Sequence, residues 1–135
     1  MIAFSHSEKM AIFWAATNMM TADGVITPEE KKYWSKLRVD LGLSAMEHVQ
    51  AQMLEAQDAG ETLVSMTAEK RVHAYGILTA IAIVDGHLDE SEYKPLMKMR
   101  DAFNLPQAIQ EIGAARAKAI MESYTEVKEF KSSVL

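Results

Sequence analysis

The sequence predicts an all-α protein: a compact bundle of about six to seven helices, built from two helix–turn–helix units related by a pseudo-twofold axis. Three observations predict it. Only 6 glycines and 3 prolines punctuate 135 residues, so long segments can stay helical. Apolar residues recur at spacings of three and four rather than two, and no stretch reads as a convincing strand. The chain also repeats itself. With Asp23 set over Asp85, an offset of 62, "DGVITPEEKKYWSKLRVDLGL" faces "DGHLDESEYKPLMKMRDAFNL" with seven identities in 21 positions. Core character is kept at Ile26/Leu88, Trp34/Leu96, Leu37/Met99 and Leu41/Phe103. The two units run from about 10 to 44 and from about 72 to 106 within a single domain spanning 1–135.

Taken in order, Met10, Phe13, Trp14, Thr17 and Met20 line one face of a first helix over about 6–22. Thr27-Pro28-Glu29-Glu30 starts the second. Thr27 caps, Pro28 takes the first position, where its missing N–H costs nothing, and Glu30 completes a capping box. Trp34, Leu37 and Leu41 form its buried stripe and Gly42 ends it. Ser44 and Glu47 make a second capping box, opening a helix that carries Val49, Met53 and Leu54 and ends near Gly60. A short helical turn follows through "ETLVSM", and Thr67 caps an apolar helix ending near Val84. Asp89 with Glu92 caps the next helix, where Pro95 should introduce a kink or delay the start. Pro106 opens a last helical stretch bearing Ile109, Ile112, Ile120 and Val127.

Composition narrows the function. A net charge of −5 lacks the electrostatic footprint of a nucleic-acid binder. With no cysteine, thiolate catalysis, disulfides and zinc–thiolate sites are excluded. The longest uncharged apolar run, "AYGILTAIAIV", has 11 residues against the roughly 20 of a membrane-spanning helix. The first residues lack the apolar core of a signal peptide. The expectation is a cytoplasmic protein with no membrane span and no nucleic-acid partner. No nucleophile elbow, glycine-rich phosphate loop or metalloprotease signature occurs, and no organic cofactor is indicated.

One chemical signature remains, the acidic turn "VDGHLDESE" and its counterpart after Asp23. It is not an EF-hand: loop positions one and three, which need oxygen side chains, are Ile81 and Ile83 in one unit and Met19 and Thr21 in the other. A structural account covers most of it, with Asp-Gly as turn chemistry and Glu as a helix cap. Yet Asp23 and Asp85 each follow an apolar helix, where a negative charge opposes the macrodipole by about 0.3–1 kcal/mol and asparagine would make the same turn without that cost. If the two units pair, Asp23, Glu30, Asp85 and Glu92 gather into a hard, oxygen-rich site for calcium, magnesium or manganese. Asp89 belongs to the same candidate metal set, with His87 and Glu29 as possible additions. His73, beside the apolar helix, reads as a hydrogen-bonded packing residue, and Trp14, Trp34 and the 10 methionines read as core.

An apolar helix ending in "ADG" or "VDG", then an aliphatic residue, then Glu, given twice in a helical chain, resembles the TerB-like family over about Phe13 to Leu105. That family is named for tellurite resistance and includes domains of membrane-anchored DnaJ-type co-chaperones. The resemblance implies a compact, generally bacterial and cytoplasmic helical domain with no established catalytic activity. Its acidic residues, here Asp23, Glu30, Asp85 and Glu92, are proposed to bind divalent metal. Thr27 departs from the pattern, standing where an acidic residue is often found, as do His87 and Pro95. The expected function is a non-catalytic module that binds a divalent cation, a protein partner, or both, through an acidic face in metal or envelope stress responses. Two alternatives stay open: a structural or homo-oligomeric interaction domain whose acidic turns are helix caps, and a metal-dependent hydrolase.

Overall fold

The computed structural model of the chain describes residues 3–21, 26–82 and 90–125, with the side chains of 90–93 and 125 excepted. Eight helices and no strand occur among the described residues: α1 (His6–Thr21), α2 (Pro28–Asp40), α3 (Ala45–Gln52), α4 (Ala56–Ser65), α5 (Ala68–Ala82), α6 (Glu90–Ala102), α7 (Leu105–Ile112) and α8 (Ala114–Thr125). No helix among them is long and apolar enough to cross a membrane.

Two helices organise the packing. α5 is buried almost all round, from Arg71 and Val72 through Tyr75, Ile77, Leu78 and Ile81 to Ala82, and α1, α2, α6, α7 and α8 pack on it. That explains the apolar run that is too short to span a bilayer: a helix that is apolar on every side belongs at the centre of a bundle. α1 lies beside α5 and receives α2, α3, α4 and α6. Its small residues Ala11, Ala15 and Ala16 are fully covered, and Phe13 fills the space between α1 and its neighbours.

At Thr27, Ser44 and Thr67 the capping chemistry is as the sequence predicts, and the expected Asp89–Glu92 cap lies outside the described residues. The Thr27 hydroxyl accepts from the Glu30 N–H at 3.1 Å, the Glu30 carboxylate accepts from the Thr27 N–H at 3.0 Å, and Pro28 opens α2. Ser44 and Glu47 form the same reciprocal pair at α3. Gly42 takes φ +70°, the left-handed conformation that lets the Leu43 N–H reach the Arg38 carbonyl at 3.0 Å and close α2. The Thr67 hydroxyl accepts from the Lys70 N–H at 3.3 Å as α5 begins.

Some boundaries keep the offset of 62 at which the sequence repeats. His6 and Ala68 start α1 and α5, Pro28 and Glu90 start α2 and α6, and each pair is 62 positions apart. The two left-handed residues that end α2 and α6, Gly42 (φ +70°) and Asn104 (φ 50°), keep the same interval. Thr17 and Thr79 also keep it, and each donates its hydroxyl at 2.9 Å to the carbonyl four residues back, Phe13 and Tyr75 respectively.

Three expectations need correction. Gly60 does not end the third helix: α3 stops at Gln52 and Gly60 lies inside α4, where a mid-helix glycine costs only about 1 kcal/mol relative to alanine. The last stretch is two helices, because Gly113 at φ +95° breaks it between Ile112 and Ala114. With α4 a full helix, these changes raise six to seven elements to eight. Of the two effects expected of Pro95, a kink or a delayed start, the delay is not seen: α6 begins at Glu90 and runs through it. Val127 lies outside the described residues.

Candidate functional site

The acidic candidates divide by position. Asp23, Asp85, His87 and Asp89 lie outside the described residues. Glu92 is the third residue of α6, as Glu30 is of α2, so the repeat sets both acids in the first helical turn after their connections. Glu30 is 4% exposed, and its carboxylate turns back on Thr27 through the capping bond. One such bond leaves acceptor capacity on a group with about four lone-pair sites. Its neighbour Glu29 is exposed to solvent. Among the described residues no three His, Asp or Glu side chains stand close enough to hold a metal ion.

Behind Glu30, α2 is fastened to α1 and α3 by a cluster of rings. Phe13 stacks on Trp34 with centroids 5.2 Å apart and planes inclined by 21°, and the His48 ring meets both at 5.0 and 4.9 Å. The Trp34 indole N–H donates to the Thr17 hydroxyl at 2.9 Å. Trp34 is half-buried and packed on the core, so its ring ties the middle of α2 to α1 and α3.

Sequence reasoning missed Arg71. It is 7% exposed and reaches across four elements. Its Nε donates to the Met66 carbonyl at 3.1 Å, one terminal nitrogen to the Phe103 and Asn104 carbonyls at 3.0 and 3.1 Å, and the other to Gln107 Oε1 at 2.8 Å. The carbonyls at a helix C-terminus lack intrahelical partners, and the planar guanidinium fork satisfies them where α6 ends, beside the turn between α4 and α5. A signal was available: Arg71 shares a face with Tyr75 and Leu78, four and seven residues on, and neither neighbour on that face is charged.

A second group joins α5 to α8. His73 Nδ1 lies 2.6 Å from the Tyr124 hydroxyl, and its Nε2 lies 4.0 Å from Glu69, which also pairs with Arg116 of α8. The Tyr124 ring sits on Gly76, where an added Cβ would stand 2.7 Å from Cδ2, so only glycine lets α8 approach this closely. Burial pushes the Tyr124 hydroxyl up to about 12. Burial also holds the His73 imidazole below its ordinary 6.5, against the opposing pull of Glu69. His73 is therefore the hydrogen-bonded packing residue that the sequence predicts. A base that is harder to protonate when folded gives stability that is whole above its unfolded value and is lost as pH falls through the folded one. Stability of the parent should drop between about pH 7.5 and about pH 5.5, and less so in His73→Gln. Urea unfolding at the two pH values measures this, and equal losses in both proteins would show that His73 is not the group responsible.

A groove of about 460 Å³ runs between the start of α1 and α4 and is lined by Ser5, Glu8, Asp58, Glu61, Thr62 and Ser65. Lys70 closes its α1 side through a 2.9 Å bond to Glu8. Burial raises the Glu8 carboxyl, but hydrogen bonds from Ser5 and Lys70 outweigh it and leave the acid below its usual range.

Fold and candidate site together define an all-α helical module whose core is made by two central helices, with acidic residues at the starts of α2 and α6. No family model matches the chain, and no curated protein does. The fold is shared with a crystal structure of a protein of unknown function, PG1108, from Porphyromonas gingivalis W83. The TM-score is 0.68 at 22% identity over 82% of this chain and 91% of that one, a likeness of fold alone.

Proposed function

We propose that the chain is a non-catalytic helical module of TerB-like type that binds a divalent cation, and through it a protein partner, with its two acidic connections. Glu30 carries the reading: a carboxylate 4% exposed in the first turn of α2, bonded to the Thr27 N–H four residues after Asp23 in sequence. The matching helix starts support a duplicate arrangement, with Asp85 and Glu92 in the second unit. Asp89, Glu29 and His87 complete the donor set, which is oxygen-rich and suits calcium, magnesium or manganese better than softer metals. The cation would neutralise carboxylates that otherwise repel one another. The chain's own residues hold the helices behind them: the Phe13–Trp34–His48 rings fix α2, and Tyr75 donates to the Leu96 carbonyl of α6 at 3.2 Å. Metal or envelope stress in a bacterial cytoplasm is the setting that the family resemblance suggests.

Thermal unfolding of chelator-stripped protein tests this reading. A cation that binds only the folded state adds about 2.7 kcal/mol at a hundredfold excess over its dissociation constant. The parent should therefore gain several degrees with calcium, magnesium or manganese, and Asp23→Asn/Asp85→Asn should not. Equal gains in both proteins would move the binding elsewhere.

A further inference from the structure

α8 meets the bundle with one stripe. Ala117, Ile120 and Met121 are buried and Tyr124 is packed beside them, at i, i+3, i+4 and i+7, while the residues between them are exposed. The stripe lies chiefly on α5, with α7 alongside, and α5 is also held by α1, α2, α6 and α7. Gly113 alone joins α8 to α7, at φ +95°, where an added Cβ would meet nothing within 4 Å. The helix can swing on that joint without unpacking the helices beneath it.

Docking surrounds His73 with groups that disfavour a proton. The Tyr124 ring meets the imidazole edge-on with centroids 5.5 Å apart, and its hydroxyl stands 2.6 Å from Nδ1. Burial, with Tyr33 of α2 adding to it, pushes Tyr124 up to about 12, so the hydroxyl keeps its proton and donates to Nδ1 only while that nitrogen is unprotonated. Arg116 pairs with Glu69, the acid 4.0 Å from Nε2 that would support a charged ring. Burial lowers the His73 value, Glu69 pulls the other way, and the chain's terminal ammonium and Arg116 add to the lowering. Release of α8 returns the ring to water, removes Arg116 and leaves Glu69 to the imidazole. The released form therefore binds a proton more tightly than the docked one.

We propose that α8 is an acid-released strap: at neutral pH it closes on α5, and on acidification it swings out on Gly113 and frees its apolar stripe. The sign follows from linkage. Docking is whole above the ordinary imidazole value and weakens as pH falls through the lower value of the docked state. Closure also depends on one close contact. The Tyr124 ring rests on Gly76, where an added Cβ would stand 2.7 Å from Cδ2, so a single methyl group obstructs it. The strap does not rest on the cation reading, since His73, Tyr124, Glu69 and Arg116 lie outside the candidate donor set.

Native-state hydrogen exchange of the full chain in low urea tests this, at about pH 7.5 and about pH 5.5, on either side of the ordinary imidazole value. The amides of Ala117, Ile120 and Met121 should exchange through an opening that comes before global unfolding and depends little on urea, whereas the buried amides of α1 should need the whole fold to open. Acid should raise the α8 opening constant severalfold in the parent and leave it unchanged in His73→Gln. Gly76→Ala should raise the same opening already at about pH 7.5, with α1 still protected. Exchange of α8 and α1 through one shared opening at both pH values overturns the proposal, because α8 then leaves only with the rest of the fold. An α8 opening that ignores acid in the parent, or rises as much in His73→Gln, overturns it as well.

Discussion

Replacing Arg71 with methionine should cost about 3 kcal/mol of folding stability, although methionine matches much of the stem's volume. The cost comes from the groups left behind. The carbonyls of Met66 and Phe103, on buried residues, lose a charged donor at once, as do the Asn104 carbonyl, which keeps its bond from the Ala108 N–H, and the amide oxygen of Gln107, both on exposed residues. An orphaned buried acceptor costs about 1–3 kcal/mol, and hydrogen bonds to a charged group stand at the upper end of the ordinary scale. Lysine should not rescue it, because a single ammonium cannot span acceptors on both sides of a planar fork. Urea unfolding is the measurement: the midpoint should fall in Arg71→Met and Arg71→Lys alike, with an unchanged slope. A lysine variant as stable as the parent would show that charge alone, not the fork, is what the turn after α6 needs.

Phe13→Ala should cost more, about 3–5 kcal/mol, the range for deleting a fully buried aromatic ring. Phe13 is completely buried and supplies the surface on which Trp34 stacks and against which His48 leans. Its removal leaves a cavity bounded by α1, α2 and α3, three elements tied to one another by that ring. The Trp34–Thr17 hydrogen bond is local and cannot refill the space. Near-UV circular dichroism of the tryptophans should collapse in parallel with the loss of stability. A variant that keeps its tryptophan signal and most of its stability would mean that α2 is held from elsewhere. The second unit offers an internal comparison at the position 62 residues on. Tyr75 is equally buried, meets Phe103 edge-on at 6.4 Å and donates to the Leu96 carbonyl, so Tyr75→Phe removes that bond and little volume. Its expected cost is about 1 kcal/mol.

Local chemistry was the legible part of this fold. Thr27, Ser44 and Thr67 mark helix starts because a hydroxyl satisfies an N–H within three residues, and that geometry depends on nothing distant. Gly42 marks an end for a similarly local reason. Gly60 and Gly113 show the limit of that logic. Both are glycines within helix-forming sequence, yet only Gly113 takes positive φ, since packing of Ala59 and Leu63 carries α4 through Gly60. Spacing likewise placed Val49 and Met53 on a helix without saying which side would face the core. The inward side went to His48 and Ala51, because α3 meets α1 at Phe13, where rings and small residues fit. The position of Arg71 on an apolar face was legible but its partners were not: they lie up to 36 residues away, in oxygens that only the folded chain brings within reach. Of the acidic site, the sequence supplied residue types and their duplication, and the structure supplies Glu30, buried in its capping box, with Glu92 at the equivalent helix position.

The direct measurement is a calorimetric titration of chelator-stripped protein with calcium, magnesium, manganese and zinc, repeated on Asp23→Asn/Asp85→Asn. A cation site in the acidic connections predicts saturable heat from at least one of the oxygen-seeking ions and its loss in the double variant, with the helical content of both proteins equal. A folded parent that takes up none of the four, or a double variant that binds as the parent does, would contradict that assignment and leave the two acidic turns as helix caps.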